Sequence, residues 1–126
     1  MDVGRRYKMI VGTGVDIIDV ERIRRLAEKS PRFLSRVFTP EEIEYSSGKA
    51  NKYQHLAARF AAKEAFFKAL GRKIDWTDVG IVNHSSGKPE LDIKKKRGSF
   101  PFDRAHVSLS HLKDFAVACV ILERAG

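Results

Sequence analysis

Cysteine is nearly absent from this chain of 126 residues, which contains only Cys119. A single thiol cannot form an intrachain disulfide, and it disfavours a zinc site built from cysteines. Cys119 lies in the apolar segment FAVACVIL, so we expect it to be a small buried residue of the core.

Long apolar runs are also missing. No uninterrupted stretch approaches the roughly 20 apolar residues that a membrane-spanning helix needs. The basic start of the chain, residues 1–8, is not followed by the apolar core and cleavage site of a signal peptide. The sequence therefore predicts a cytoplasmic protein that does not engage a membrane.

Acidic residues are outnumbered, with 16 Asp and Glu against 24 Lys and Arg, a formal charge of +8 and a pI near 9.8. Such a surface favours an anionic partner: nucleic acid, a phosphorylated metabolite, an acidic protein or an anionic membrane. Composition does not choose among these. The 43% apolar and 32% charged content is typical of one compact domain, here spanning residues 1–126.

The first half of the chain predicts a strand followed by helices. Residues 9–20, MIVGTGVDIIDV, are rich in Val and Ile and predict a buried strand, in which Gly12 and Gly14 indicate close approach of another group. Asp19 then caps a basic helix, VERIRRLAEK, that ends near Ser30. The segment RFLSRVF predicts another helical turn or two.

Two further helices have clear boundaries. Thr39 is a natural N-cap, Pro40 suits the first helical position, and Glu42 completes a capping box. That helix should end before Gly48. A long helix from about Tyr53 to Leu70 follows, and the next residue, Gly71, is placed to end it.

The second half changes to a period of two. DVGIVN and ELDIKK predict strands around the turn HSSGKP, and FAVACVILE predicts a final strand. AHVSLSH alternates, with Val107 and Leu109 on one face and Ser108 and Ser110 on the other. KKKRG, residues 94–98, is expected to be a solvated loop. The whole predicts an α+β fold, an antiparallel sheet packed with one long helix and shorter ones.

The long helix contains a carboxylate in apolar surroundings. RFAAKEAFFKALG is apolar almost all the way round, and on a helical wheel Glu64 shares its face with Phe60 and Phe67. A carboxylate buried there must be neutral, ion-paired or bound to a metal. The simplest explanation is a pair with Lys68 at i, i+4, worth about 0.2–0.5 kcal/mol at a surface.

A second carboxylate, Asp16, lies inside the first strand, where Asp has poor β-propensity. Capping the next helix is one alternative role for Asp16, but Asp19 is better placed for that. Two carboxylates on a strand and a helix suggest a shared cation, and all-oxygen ligation by few protein groups is typical of Mg²⁺, which also binds water and phosphate. Lys63 and Lys68 would then meet the phosphate charge directly.

Four motifs together identify a family. GVDIIDVERI, RFAAKEAFFKALG, GKPEL and VSLSH, in that order, closely resemble the holo-[acyl-carrier-protein] synthases, the small bacterial 4′-phosphopantetheinyl transferases. The resemblance extends from Met9 to Glu123. It implies the fold of that family, a homotrimer with active sites between subunits, and Mg²⁺-dependent transfer of phosphopantetheine from coenzyme A to a serine of acyl carrier protein. The second product is adenosine 3′,5′-bisphosphate, and the pathway served is fatty acid biosynthesis.

The resemblance also implies residue roles. Asp16 and Glu64 match the catalytic residues that hold Mg²⁺ in the family, and Lys68 matches the lysine that contacts the pyrophosphate and can assist the leaving group. The serine proton goes to Glu64 or, through a water, to Asp16, and the sequence leaves both routes open. The positions matched to the coenzyme A site are Lys68, Gly71, Lys88, Pro89, Ser110 and His111. Taken alone, His111 is equally well explained by structural hydrogen bonding, and the turn GKP by turn chemistry.

Acyl carrier proteins are acidic, and family members dock them through arginines of the first helix. Arg22 matches this role, and Arg32 and Arg36 are further candidates; a simply solvated basic face is the alternative. His55, His84 and His106 lack the spacing of a metal site.

Two features depart from the family pattern. Gly71 is followed by Arg72 and Lys73 where the family commonly has Thr-Gly, and residues 1–8 precede the usual start, as an N-terminal extension would. Two rival functions remain: a nucleic-acid-binding module that uses RIRR and KKKRG, and a structural interaction protein in which Glu64 only pairs with Lys68.

Overall fold

The structure is a computed structural model that describes residues 7–94 and 99–126. Every predicted strand and helix is present, in the expected order, and the α+β class is confirmed. The elements are β1 (Lys8–Asp19), α1 (Val20–Lys29), α2 (Phe33–Val37), α3 (Pro40–Ser47), α4 (Lys52–Leu70), β2 (Val79–Asn83), β3 (Pro89–Ile93), β4 (Arg104–His111) and β5 (Phe115–Ala125). A 3₁₀ turn before β2, Trp76–Asp78, was not predicted.

The strands form two antiparallel sheets. β5 lies between β1 and β4 in a three-stranded sheet, while β2 and β3 form a separate hairpin. In the larger sheet Asp16 lies opposite Ala118, which in turn lies opposite Leu109. Residues that are directly opposite one another share a face, so this row and its alternate neighbours point to the same side of the sheet.

Helix α4 packs on that side, and two glycines set how close it comes. A Cβ atom at Gly12 would lie 2.0 Å from the carbonyl oxygen of Ala69, and one at Gly14 would lie 1.9 Å from that of Ala65. No side chain fits into such gaps, so β1 and α4 touch backbone to backbone. The predicted close approach at both glycines is confirmed.

The helix ends follow the local signals. Asp19 accepts a hydrogen bond from the N–H of Glu21 at 2.9 Å. Thr39 and Glu42 form the predicted capping box, with bonds of 3.2 and 2.8 Å. Gly71 ends α4 in the left-handed region, at φ +85°, where it donates to the carbonyl of Phe67 at 2.8 Å.

The core surrounds α4, which explains why that helix is apolar almost all the way round. One side of α4 packs on the sheet. The other side contacts α1, α3 and the aromatic residues before β2. Phe60 stacks on Trp76 with ring centroids 5.0 Å apart, and Phe66 contacts Phe100 and Phe102 edge-on. A buried helix of this kind keeps a charged residue only where that charge has a partner.

Among the residues that the structure describes, no helix covers the opposite side of the larger sheet, and we call it the outer sheet face. Its members are Thr13, Val15, Ile17, His106, Ser108, Ser110, Phe115, Val117, Cys119 and Ile121. Val15 is 59% exposed and Ile17 is 68% exposed. The prediction that β1 is a buried strand is therefore wrong for this face. The prediction that Cys119 is a buried core residue is also wrong, because Cys119 is exposed opposite Val15.

Two expectations fall at the limits of the described residues. Most of KKKRG, residues 95–98, lies outside them, as do residues 1–6 of the expected N-terminal extension. Lys8, the last residue of that segment, pairs with Ala125 in β1. None of the helices described is long and apolar enough to cross a membrane.

Candidate active site

Asp16 and Lys68 meet where β1 contacts α4. The Lys68 Nζ donates to the Asp16 Oδ1 at 3.1 Å and to the Val15 carbonyl at 3.0 Å. The side chain of Asp16 is 18% exposed and that of Lys68 is 55% exposed, so the pair lies at the edge of the core. The close packing of β1 on α4 brings these residues together although 52 positions separate them.

Glu64 lies one helical turn before Lys68 on the same side of α4 and is half-buried. It makes no hydrogen bond or ion pair with any residue that the structure describes. The simple pair with Lys68 is therefore not formed, because Lys68 engages Asp16 instead. A half-buried carboxylate without a protein partner is left to receive a ligand.

This donor set suits a hard divalent cation. Asp16 pairs with the Lys68 ammonium, and Glu64 lies one helical turn from Lys68 on the same side of α4. The oxygens that these two carboxylates offer are those that Mg²⁺ prefers. Within residues 7–94 and 99–126, no group of three or more His, Cys, Asp and Glu is arranged to hold a metal. A cation held by Asp16 and Glu64 would take its remaining oxygens from water and substrate, as Mg²⁺ does at phosphate sites.

Lys63 does not belong to this site, and the expectation that it meets phosphate is wrong. Its Nζ is buried, pairs with the Glu42 carboxylate at 2.7 Å, and donates to the carbonyls of Val37 and Trp76 at 2.7 and 3.0 Å. Burial lowers the pKa of Lys63, and the ion pair with Glu42 opposes that shift. One residue along a helix turns the side chain by about 100°, which points Lys63 away from Glu64.

Glu42 has a second role in addition to its part in the capping box. Besides the bonds of the cap, its carboxylate accepts from the N–H of Ile81 at 2.8 Å. It thereby ties α3 to β2 and, through Lys63, to α4. Local spacing predicted the cap, but the sequence did not predict the long-range bonds.

His111 lies at the end of β4, on the helix side of the sheet. Its Nδ1 is 2.9 Å from the Gln54 Oε1, and its ring contacts that of His55 edge-on with centroids 4.9 Å apart. Ser110 points to the outer sheet face, where Val117 lies opposite it. Within one chain, the two residues matched to the nucleotide site therefore do not share a face.

The other residues matched to the nucleotide lie in the β2–β3 hairpin. Lys88 is exposed at its turn and Pro89 opens β3. Next to this turn lies a cavity of about 310 Å³ whose lining includes Tyr45, Arg59 and Gly87. The hairpin, α3 and Arg59 of α4 thus line one cleft.

Arg59 supplies a buried positive charge to that cleft. It is 2% exposed, donates to the Asn83 Oδ1 at 2.5 Å and to the His55 carbonyl at 3.2 Å, and packs on the Tyr45 ring. Its Nε is buried and has no hydrogen-bond partner among the described residues. Sequence reasoning quoted this arginine in a motif but gave it no role, and likewise missed His55.

The residues that depart from the family pattern rest on aromatic rings. Gly71 keeps its capping role, as described above. Arg72 lies over the Phe100 ring at 5.6 Å and Lys73 over the Trp76 ring at 5.3 Å. The loop after α4 is thus held to the core by two cation–π contacts.

The solvent-exposed surface of α1 has two parts, one with ion-paired residues and one with a row of exposed cations. Arg24 is held between Glu21 and Glu28 by hydrogen-bonded ion pairs, and it lowers the pKa of Glu21. Arg22, Arg25 and Lys29 are exposed and fall within about 60° of one another on the helix. None of the three pairs with a described residue, and we call them the basic stripe. Two further exposed cations follow in the chain, Arg32 just before α2 and Arg36 within it.

Comparison with known proteins gives a consistent result. The chain matches the 4′-phosphopantetheinyl transferase superfamily over residues 12–120. It is 50% identical over 125 residues to a holo-[acyl-carrier-protein] synthase of Geobacter sulfurreducens, a match that covers 92% of this chain and 99% of that relative.

Solved structures agree with the sequence matches. A holo-(acyl-carrier-protein) synthase of Bacillus anthracis, in complex with CoA (3′,5′-ADP), is 38% identical with a TM-score of 0.79, and covers 92% of this chain and 98% of its own. The Helicobacter pylori synthase in complex with coenzyme A is 29% identical with a TM-score of 0.78, and the match covers 90% and 99%. Similarity of this extent spans both the acidic site and the cleft.

Proposed function

Because the chain belongs to the 4′-phosphopantetheinyl transferase superfamily, as a holo-[acyl-carrier-protein] synthase, we propose that it transfers the 4′-phosphopantetheine group of coenzyme A to a serine of apo-acyl carrier protein. Adenosine 3′,5′-bisphosphate is the second product, and the holo-carrier serves fatty acid biosynthesis. The observation that supports this best is Glu64, a half-buried carboxylate with no partner in the described part of the chain, one helical turn from the Lys68 that pairs with Asp16.

The reaction breaks the diphosphate of coenzyme A. The serine oxygen attacks the phosphorus that carries phosphopantetheine, and the adenosine bisphosphate leaves on its 5′-phosphate oxygen. Asp16 and Glu64 would hold Mg²⁺ here, which when bound neutralises the charge of the diphosphate. Phosphoryl transfer asks the protein mainly to position groups and to stabilise charge.

The chain's own residues have defined tasks. The Lys68 ammonium, more than half exposed, lies where it can pair with the diphosphate and with the oxygen that leaves. Either carboxylate can accept the serine proton, Glu64 directly or Asp16 through a water. Lys88 and Pro89 of the hairpin, with His111 at the end of β4, hold the nucleotide.

We assign the outer sheet face to contacts between three copies of the chain. Val15, Ile17 and Phe115 are each more than half exposed there, an apolar surface of the kind that marks a protein interface. Ser110 lies on this face, so a nucleotide at the junction between subunits would meet Ser110 of one copy and His111 of another. A site shared between subunits accounts for both matched residues.

The carrier protein docks on the basic stripe, on Arg32 just before α2 and on Arg36 within it. Arg22, Arg32 and Arg36 are all exposed. Acidic partners are attracted to such a surface mainly through faster association and correct orientation.

The test is a direct assay of the carrier. Apo-acyl carrier protein is incubated with the enzyme, coenzyme A and Mg²⁺, and its intact mass is measured. The mass should rise by one phosphopantetheine group, and a chelator should prevent the rise. A carrier mass that stays unchanged with excess enzyme would contradict the proposed function.

A further inference from the structure

The turn of the β2–β3 hairpin is held by a side chain as well as by its backbone. Asn83, the last residue of β2, bonds to Gly87 of the turn and to Arg59 of α4. We propose that Asn83 is a positioning residue, whose amide holds the turn in the shape that receives the nucleotide of coenzyme A. This inference rests on the proposed function, because it gives a task to a further residue of the same site.

The Asn83 side chain complements the backbone bonds of the turn. The N–H of Gly87 donates to the carbonyl of His84 at 2.8 Å, and the N–H of His84 donates to the carbonyl of Lys88 at 2.9 Å. Pro89, which lies opposite Asn83, has no N–H to offer to the hairpin. At this point the Asn83 Nδ2 donates to the Gly87 carbonyl at 3.0 Å. The side chain thus fixes the residue directly before Lys88.

The chemistry of its two neighbours fixes how the Asn83 amide points. A guanidinium only donates hydrogen bonds, and a carbonyl only accepts them. The amide oxygen must therefore face Arg59, 2.5 Å from its Nη2, and the amide nitrogen must face Gly87. An aspartate at position 83 would still accept from Arg59, but when ionised it has no proton to donate to Gly87. A single substitution can therefore separate the two bonds.

Arg59 is a well-fixed support for this amide. It is buried, its guanidinium carbon lies 4.3 Å from the centroid of the Tyr45 ring, and its Nη1 donates to the His55 carbonyl at 3.2 Å. The guanidinium is thus held by the backbone of α4 and by a ring of α3. Because Asn83 is bonded to this group, it fixes the turn relative to α4.

This link matters because coenzyme A would span both of its ends. Its diphosphate is assigned to a site that includes Glu64 and Lys68 of α4, and its nucleotide is assigned to Lys88 and Pro89 of the hairpin. Both parts belong to one molecule, so the spacing between helix and turn has to match it. A turn that is already in place loses little conformational freedom on binding. Release of the turn should therefore weaken the binding of coenzyme A and leave the carrier protein unaffected.

The alternative is that Asn83 only satisfies the buried guanidinium of Arg59. In that case another acceptor at position 83 would serve equally well, and an aspartate would serve best because its charge pairs with the guanidinium. The affinity for coenzyme A would then be independent of the bond to Gly87. The two explanations therefore predict different results for Asn83→Asp.

The experiment measures the KM values of Asn83→Asp for coenzyme A and for carrier protein, together with its melting temperature. We expect the melting temperature to stay within about 4 °C of the wild type, because the bond to Arg59 is kept. The KM for coenzyme A should rise about fivefold or more, and the KM for the carrier should not change. A wild-type KM for coenzyme A would overturn the inference. Asn83→Ser, which is uncharged and lacks the amide, gives the same comparison should the aspartate variant not fold.

Ser85→Asp is the charge-matched control. Ser85 is exposed in the same turn and lines the same cavity, so this substitution adds the same charge and leaves the Asn83 amide intact. We expect its KM for coenzyme A to lie within about twofold of the wild-type value, since an exposed charge is screened by salt. A rise as large as that of Asn83→Asp would mean that the added charge alone acts, and would overturn the inference.

Amide hydrogen exchange tests the turn without turnover. The amides of His84 and Gly87 should exchange about threefold faster or more in Asn83→Asp, because the turn opens more often. The amide of Ile81, which donates to Glu42, should exchange at the wild-type rate. Unchanged exchange at the turn would contradict the positioning role.

These results separate the two ways of failing. If the wild type does not modify the carrier, the proposed function fails and the inference fails with it. If the wild type modifies the carrier and Asn83→Asp keeps the wild-type KM for coenzyme A, only Asn83 loses its role.

Discussion

Two adjacent charged residues of α4, Lys63 and Glu64, lie in different environments. Lys63 is buried in the core with Glu42, and Glu64 is half-buried without a partner among residues 7–94 and 99–126. Both residues lie among alanines and phenylalanines in the sequence, which did not predict that their environments differ. What separates them is the rotation of the helix, which directs neighbouring side chains about 100° apart.

The buried pair gives a prediction about stability. Lys63→Met leaves the Glu42 carboxylate buried without its cation, so we expect the free energy of unfolding to fall by about 3–5 kcal/mol. Lys68→Met is the matched control, because the Lys68 side chain is 55% exposed and its pair with Asp16 should be worth at most about 1 kcal/mol. Denaturant unfolding measures both. Equal losses in the two variants would show that burial of the Lys63–Glu42 pair has no special weight.

At the scale of single residues, a contact could be predicted from the sequence when its two partners are close along the chain. Thr39 and Gly71 act on residues three or four positions away, and the sequence predicted both. The bond from Glu42 to Lys63 spans 21 positions, and the exposure of Cys119 depends on which face of the sheet the helix covers. The local spacing of residues predicts neither this bond nor this exposure.

At the scale of elements, α1 presents two different surfaces to solvent. The basic stripe carries unpaired cations, while Arg24 beside it is neutralised by Glu21 and Glu28. An acidic partner therefore gains more from the stripe than from the helix as a whole. The sequence treated all the arginines of α1 as equivalent, apart from the family match at Arg22.

This division gives a prediction about docking. Arg22→Glu should raise the KM for carrier protein about tenfold and leave the affinity for coenzyme A unchanged, because the change lies on the docking surface. Steady-state transfer at varied carrier concentration measures this. An unchanged KM for the carrier would remove Arg22 from the docking surface.

A charge-matched pair of variants sharpens the comparison. Arg22→Gln and Arg24→Gln each remove one positive charge from the same helix, so long-range attraction changes equally. We expect the larger rise in carrier KM from Arg22→Gln, since Arg24 is already engaged by two glutamates. Equal effects would mean that only the net charge of α1 matters.

The elements themselves were largely predictable, and their arrangement was less so. Caps and turn residues gave the bounds of α1, α3 and α4 to within a residue or two. The position of β5 between β1 and β4, and the single-sided burial of β1, arise from packing between distant segments.

At the scale of the whole molecule, the outer sheet face links assembly to the site. We expect Ile17→Lys to dissociate the trimer, because it places a charge in the apolar surface that the copies would share. Analytical ultracentrifugation measures the state, and transfer activity should fall with it. Leu112→Lys, an equally exposed apolar residue in the β4–β5 turn, is the control and should keep the wild-type mass. A trimeric Ile17→Lys variant would exclude this face as the interface.

The site was predictable in its chemistry more than in its contacts. Asp16 and Glu64 attracted attention because carboxylates are unfavourable in apolar surroundings, and the family motifs then assigned their roles. The capture of Asp16 by Lys68, the cleft at Arg59 and the ring contact of His55 required the tertiary structure.

The most direct measurement is the rate at which Glu64→Gln modifies apo-acyl carrier protein at saturating Mg²⁺ and coenzyme A, followed by the intact mass of the carrier. The substitution keeps the shape of the side chain and removes its charge, so we expect the rate to fall by about 10²-fold or more. Glu44→Gln, an exposed residue of α3, should transfer at the wild-type rate. Transfer by Glu64→Gln at the wild-type rate would contradict the assignment of this carboxylate to the cation and the diphosphate.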